Sequence, residues 1–442
     1  MPFVNRLRRP VCLLAAVLLS FASLACAAPE EEPHPDTPAY AGLHPVKAPA
    51  PGPLLLAQGD KLAICGDSIT QQIMYSRLIE DYLVMCVPDL HIAVRQHGWS
   101  GETADGFLRR MKDDCLRFGP TIATLCYGMN DYRYRPYQEA IGAAYRRNYT
   151  AVVETFKAAG VKVVLGAPNS VGKVASWVKP LNGTLAEHNQ SLCTLRNIAL
   201  DIADKEQVRF ADNFWPLFVA GVTAHERYGA GYNINGNDGV HPDWAGHLLM
   251  AYDYLKALGL DGDLGTIKVD LATAKAVGAG GHSVDSFDGT TVNVTSNRYP
   301  FCLSGAVESF HATRSGASLV PFYKDLDRLT LVVTGAKAAN YKVTWGAGSK
   351  VYTAAQLAAG VNLAEDFADT PFAEAWAKVD AAVQRKEAFE TNEMQHTMRS
   401  PAMKADPQGT LAAAEAERDK LVAAVAAAFS PVKNTVKIEA AP

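Results

Sequence analysis

Short apolar runs alternate with longer amphipathic stretches between residues 60 and 260. The runs Lys61–Cys65, His91–Arg95, Thr121–Cys126, Lys162–Leu165 and Val208–Ala211 have the length and flanking breaks of strands. Apolar residues recur at helical spacing over Gln71–Leu83, Ala104–Arg117, Tyr137–Ala159 and Leu185–Ala203, and a last helix follows Pro242. Strands that alternate with helices predict a parallel sheet covered on both faces, with right-handed crossovers. The expected fold class is therefore α/β, doubly wound.

After Leu260 the texture changes. Gly, Ser, Thr and Val rise, and apolar residues alternate with polar ones at period two. Thr290–Val294, Leu329–Thr334, Tyr341–Trp345 and Lys350–Tyr352 predict strands of a small β-sandwich, the second and third of them as a hairpin. Two Ala-rich helical stretches follow, Pro371–Met398 and Thr410–Phe429, read as an antiparallel pair. Val436–Ile438 is a candidate final strand.

The N-terminus reads as a processing segment. Arg6, Arg8 and Arg9 precede an apolar Val11–Leu24 and the A-x-A-like Ala25-Cys26-Ala27, as in a secretory signal peptide. Lipidation at Cys26 is the competing reading, with Ser23 where Leu is usual. Residues 28–58 are Pro- and Ala-rich and predict a linker or wrapped arm. The expected division is 1–27 signal, 28–58 arm, 59–260 α/β domain and 261–442 accessory β-rich plus helical domain. The mature chain is expected to be secreted or periplasmic, with no integral membrane segment after signal removal.

Composition narrows the partners. The 442 residues are 48% hydrophobic and 20% charged, with a net charge of −4. That balance argues against nucleic acid as a partner, and the one basic run, Tyr132-Arg133-Tyr134-Arg135, is too small to change it. Six cysteines follow the signal: Cys65, Cys86, Cys115, Cys126, Cys193 and Cys302. They read as buried thiols or as one or two bridges, with no metal-type spacing. No phosphate-binding loop is present, so neither a metal nor a cofactor is expected.

Candidate chemistry lies at the predicted strand ends. Gly66-Asp67-Ser68 leaves the first strand, Trp99-Ser100-Gly101-Glu102-Thr103 follows the second, and Gly128-Met129-Asn130-Asp131 follows the third. Asp238-Gly239-Val240-His241-Pro242 precedes the last helix. Taken singly, Ser68 can be an N-cap, Gly101 and Asn130 turn residues, His241 a structural histidine and Asp238 a loop carboxylate. Taken together over residues 60–258, the four motifs resemble those of the SGNH/GDSL hydrolase family, with Ile69 where the first motif usually carries Leu.

The resemblance implies a flavodoxin-like SGNH-hydrolase sheet and a serine esterase, which the N-terminal pattern marks for export. Ser68 would be the nucleophile and Asp238 and His241 its partners, with an oxyanion hole from the Ser68 N–H, the Gly101 N–H and the Asn130 side chain. The chemistry is coherent, since a serine hydroxyl needs a base, and an imidazole oriented by a carboxylate supplies one. Pro242 suits the first turn of the helix that follows.

Asp67, Trp99, Tyr132 and Arg133 are the candidate substrate-binding residues, with Asp67 and Asp131 also read as braces. His97, Tyr127, Tyr134 and Arg135 border the same motifs. Trp177, Tyr228, Tyr232 and Asn233 lie on long connections near the same rim. Trp345 and Trp376 read equally as core residues or sugar platforms. A paired-carboxylate glycosidase would leave Ser68 and His241 without a task.

The aromatic-bearing rim and the added β-rich domain favour O-acetyl esters on carbohydrate. The expected partner is an acetylated glycan or another small ester. Two alternatives stand beside this: a lipid or aryl esterase of the same family, and a catalytically idle glycan-binding protein.

Overall fold

The computed structural model describes Met1 and residues 29–442. The predicted signal segment, with Cys12 and Cys26, lies outside them apart from Met1. Five parallel strands form the central sheet: β1 Lys61–Gly66, β2 Ala93–Gln96, β3 Ile122–Cys126, β4 Lys162–Gly166 and β5 Arg209–Ala211. Their order is β2-β1-β3-β4-β5. Every residue of β3 is buried, as are the last five of β1. Strands buried on both faces carry near-continuous apolar runs, which is why these two were plain in the sequence.

The strand order reverses between β1 and β3, the point at which ligands bind in such sheets. The register places Gly66 beside Cys126, so the chain leaves both strands side by side into the loops that begin at Asp67 and Tyr127.

Helices α1 Ser68–Gln71, α2 Tyr75–Asp81, α3 Ala104–Asp114, α4 Glu139–Ala158, α5 Leu185–Glu206, α6 Trp215–Tyr228 and α7 Trp244–Ala257 connect and flank the strands. The single helix expected over Gln71–Leu83 is broken: α1 ends at Gln71, Ile73 is left-handed, and a π-helical turn, Tyr82–Cys86, closes α2. α6 forms where no helix is predicted. Its signal was present: Asp212 accepts from the N–H groups of Phe214 and Trp215, and Pro216 stands in the first turn. Pro242 does not occupy the first turn of α7. Asp243 caps that helix through the Trp244 N–H, so Pro242 lies before the cap.

The C-terminal region adds two sheets built from β6 Asp263–Asp270, β7 Lys275–Ala279, β8 His282–Phe287, β9 Thr291–Ser296, β10 Arg328–Thr334, β11 Asn340–Trp345, β12 Gly348–Thr353, β13 Val361–Asn362 and β14 Val432–Ala441. Their orders are β13-β10-β6-β7 and β12-β11-β14-β9-β8. The expected hairpin of β10 with β11 does not form. β10 runs parallel to β6, whereas β11 turns back tightly onto β12 and also pairs with β14. Period-two patterning identified β9, β10, β11, β12 and part of β14, but not β6, β7, β8 or β13. It did not identify partners, because alternation sets faces and not neighbours. Trp345 is fully buried and donates to Asn434, and Trp376 is packed on Phe301 at 4.6 Å, so both are core residues.

The C-terminal helices Ala373–Gln395 and Pro407–Ala428 pack on each other and return to the parallel sheet. The Gln96 N–H donates to Glu390, and the Val94 carbonyl accepts from Lys386 and Arg418. Arg95 pairs with Glu393 at 2.8 Å and also with Glu415. These charged side chains thus satisfy the free edge of β2, a role usually left to backbone or loop. Lys386 is buried and also pairs with Glu80 at 2.9 Å and Glu390 at 3.0 Å. Burial works against its charge, but the carboxylates of Glu390, Glu80 and Glu387 outweigh it and hold its pKa above the ordinary value.

The segment before β1 is a wrapped arm. Tyr40, Leu43 and Leu56 are buried, the Val46 N–H donates to Asn197, and Arg209 donates to the Pro53 carbonyl. All six described cysteines are free thiols, five of them buried, and the Cys65 and Cys115 sulfurs lie 3.9 Å apart. Among the described residues no helix is long and apolar enough to cross a membrane.

Candidate active site

Ser68 is not the cap of its helix. Asp67 takes that place, its Oδ1 accepting from the Ile69 N–H at 3.0 Å. The Ser68 hydroxyl is thereby free, and it donates to His241 Nε2 at 2.8 Å. On the other side of the ring, Nδ1–H donates to Asp238 Oδ2, also at 2.8 Å. Asp238 Oδ1 accepts from the N–H groups of Val240 and His241 at 2.8 and 2.9 Å. Burial alone would raise the Asp238 pKa. The two backbone N–H bonds and the imidazole overcome it and hold the carboxyl below its usual value, so Asp238 stays an anion facing the ring.

Local geometry fixes this turn. Gly236 has φ +77°, and a Cβ there would stand 1.8 Å from the His241 carbonyl oxygen. Only glycine lets the chain fold so closely over the histidine. The Gly172 N–H donates to the Gly239 carbonyl at 2.7 Å, and Lys173 Nζ donates to the Asn237 carbonyl. The loop after β4 is thus tied to the loop that carries Asp238 and His241. A second histidine, His247, lies on α7. Its Nδ1 accepts from the Tyr75 N–H, so its Nε2–H faces Gln72. Burial pushes its pKa down to about 3, and it serves as a neutral strut between α2 and α7.

The other motif loops are knitted to the first. The Trp99 N–H donates to the Gly66 carbonyl and the Ser100 N–H to Gln71 Oε1. Gly101 is exposed with φ +74° and open space where a side chain would project. Asn130 is half-buried, and its Nδ2 donates to the Glu102 carbonyl at 3.0 Å and more weakly to Asp67 Oδ2 at 3.3 Å. Tyr134 donates to Asn130 Oδ1 at 3.1 Å, which settles which way the amide faces.

Two carboxylates lie beneath these loops. Asp67 is raised to about 7 by burial, with the charges of Asp131 and Glu102 adding to it against the Ile69 N–H bond. Asp131 is likewise raised to about 7 by burial, although its oxygens accept from the Ala104 N–H. Both act as braces.

The structure separates the expected substrate-binding residues. Asp67 and Tyr132 are each 1% exposed, and the Tyr132 hydroxyl donates to His188, so neither can face a ligand. Trp99 is half-buried with guanidinium groups over its ring, Arg399 at 4.5 Å and Arg110 at 5.4 Å. Arg133 alone of the four is exposed, in a left-handed conformation. His97 is a buried strand end, and Tyr127 is buried with its hydroxyl on Glu102. Tyr228 and Tyr232 are spent on Ser318 and Ser315.

Trp177 is an aromatic that packs beside His241. It is 48% exposed, its ring centroid lies 5.7 Å from that of His241, and Tyr134 stands edge-on to it at 6.0 Å. Two cavities, of 1250 and 420 Å³, lie along the N-terminal arm and are not lined by Ser68 or His241.

Residues 64–249 match the model of the GDSL-like lipase/acylhydrolase family. No curated protein matches the sequence. A solved structure of a gut microbial diltiazem-metabolizing enzyme is similar in fold, with a TM-score of 0.70 at 20% identity over 88% of this chain and 100% of that one. A putative GDSL-like lipase from Parabacteroides merdae matches 47% of this chain and 99% of its own at 21% identity, with a TM-score of 0.39. An acetylxylan esterase from Geobacillus stearothermophilus matches 47% and 97% at 21% identity, with a TM-score of 0.38. From residue 64 to residue 249, this chain carries a domain of the GDSL-like lipase/acylhydrolase family.

Proposed function

We propose that this protein is an exported serine esterase that removes O-acyl groups, O-acetyl groups first among them, from carbohydrate. The observation that carries the reading is the unbroken relay from the Ser68 hydroxyl to His241 to Asp238, each step 2.8 Å. In this reading residues 59–260 do the chemistry and residues 261–442 form the accessory unit.

The steps follow from the geometry. Ser68 Oγ attacks the ester carbon and its proton passes to His241 Nε2. Asp238 holds the ring in the tautomer that can accept it and stabilises the imidazolium that results. The carbonyl oxygen, now an anion, is received by the N–H groups of Ser68 and Gly101 and the amide of Asn130. That amide has its weaker bond, to Asp67, to give up. Collapse of the intermediate breaks the bond to the alcohol oxygen, which takes the proton from Nε2. Water then attacks the acyl-serine, His241 accepts its proton, and the acid leaves as Ser68 regains its hydrogen.

The sugar assignment draws on the exposed aromatic beside the base, since ring faces suit indole. Export draws on the N-terminal pattern. Acetate release from a panel of acetylated glycans tests the substrate, and a chain-length series of p-nitrophenyl esters tests the acyl group. Strong preference for acyl chains beyond butyrate overturns the acetylesterase reading. Hydrolysis that survives Ser68→Ala overturns the serine mechanism.

A further inference from the structure

We infer that Trp177 is the platform on which the alcohol half of the ester rests, and that the alcohol it fits is a sugar ring. The inference rests on the serine-esterase reading above and specifies its substrate side. The leaving oxygen takes its proton from Nε2, the atom that faces Ser68 Oγ at 2.8 Å. The alcohol carbon must therefore lie just beyond that nitrogen. Nδ1 is engaged by Asp238, and the ring plane is flanked by Trp177 at 5.7 Å with a 34° tilt. The carbonyl oxygen is received by the Gly101 N–H and the Asn130 amide. The indole, packed beside the imidazole that protonates the leaving oxygen, borders the half that departs.

The wall is built and held. Trp177 follows the buried Ala175, and the start of its loop is fixed by paired bonds between Val171 and the Asn189 side chain, 2.9 Å each, and by the Gly172–Gly239 bond. Tyr134 backs the indole and bonds Asn130, so one run of contacts joins the oxyanion amide, the two aromatic rings and the base. Close to half of the indole remains open to solvent. Ser176 and Lys179, near it in the chain, and Arg133, next to Tyr134 in the chain, are exposed and polar. A flat apolar face with a polar surround matches a pyranose, whose C–H face is apolar and whose hydroxyls lie around the edge.

The test compares wild type, Trp177→Ala and Trp177→Phe on ethyl acetate and on a mono-O-acetylated methyl pyranoside, with cyclohexyl acetate as a ring that lacks hydroxyls. Trp177→Ala is expected to lower kcat/KM on the acetylated sugar about tenfold, to change it less than twofold on ethyl acetate, and to be largely rescued by Phe. Wild type is expected to favour the sugar ester over cyclohexyl acetate. Equal losses on ethyl acetate and the sugar, with a displaced pH–rate profile, would show that the indole only props His241 and would overturn the platform. Unchanged rates on every ester would overturn it too, as would a preference for cyclohexyl acetate. Absence of Ser68-dependent hydrolysis in the wild type would instead defeat the esterase reading itself, and the platform with it.

Discussion

Ser68 and His241 are 173 residues apart in sequence and 2.8 Å apart in space, joined by one hydrogen bond from the hydroxyl to Nε2. The bond exists because Asp67 caps α1 and spares the serine that task. Asp238→Asn would turn an anion that accepts from Nδ1 into a neutral amide that can present a donor to it. A fall in kcat of about 10³–10⁴-fold is expected, with little change in KM. In the proposed mechanism Asn130→Ala removes one oxyanion donor and is expected to cost about 10²–10³-fold in kcat. Steady-state kinetics on one ester, with thermal melts to show that both variants fold, checks the pair.

Gly236→Ala tests whether the histidine turn is fixed by its backbone. The new methyl group would meet the His241 carbonyl, and φ +77° is already costly for alanine. Destabilisation of about 1–3 kcal/mol is expected, with activity falling further than stability alone explains. A denaturant titration beside an activity assay below the transition separates the two effects.

Lys386 is the cation on which the C-terminal helix turns. Replacing it with Met keeps the apolar stem but leaves Glu80 and Glu390 facing each other without their shared ammonium group. A loss of about 3–5 kcal/mol is expected, because an uncompensated buried charge costs more than a pair returns. Chemical denaturation of Lys386→Met measures it. Hydrogen exchange is expected to rise at the β2 edge before the rest of the sheet.

Asp327 gives a prediction in pH. One of its oxygens accepts from the Phe301 N–H at 2.9 Å and the other is buried with no partner among the described residues. Burial raises its pKa to about 8 from an ordinary value of 3.8. Between those two values the folded chain holds a proton that the unfolded chain has released. Stability therefore falls as pH rises through that window, and levels off above it. Asp327→Asn keeps the acceptor and removes the titration. Its stability relative to wild type is expected to grow from pH 4 to pH 8, as read by unfolding curves at several pH values.

The residues that meet in the candidate site were legible because each sits at a strand end or helix entrance that hydrophobic patterning marks. Ser68, Asn130 and the Asp238–His241 turn needed only their motifs and the order of elements. Which side chains line the open rim was not legible. Tyr132 and Tyr134 stand two apart in one short run, yet one is buried against His188 and the other faces Trp177. Irregular loops carry no period that sorts sides. Trp177 itself lies in a connection with no repeat, and its place is set by bonds from Gly172 to Gly239 and from Val171 to Asn189. The docking of Lys386 and Glu390 on β2 was hidden for a different reason. Charged residues on a helix normally read as a solvated face, and nothing local announces that a sheet edge more than 290 residues away will claim them.

The open indole beside His241 also makes the molecule report on itself. Of the six tryptophans, Trp215, Trp345 and Trp376 are buried and Trp99 and Trp244 are half-covered, so the red edge of the fluorescence spectrum belongs chiefly to Trp177. If a sugar ring rests on that indole as proposed, adding an inert sugar shifts this emission to the blue, and occupancy is registered with no bond broken.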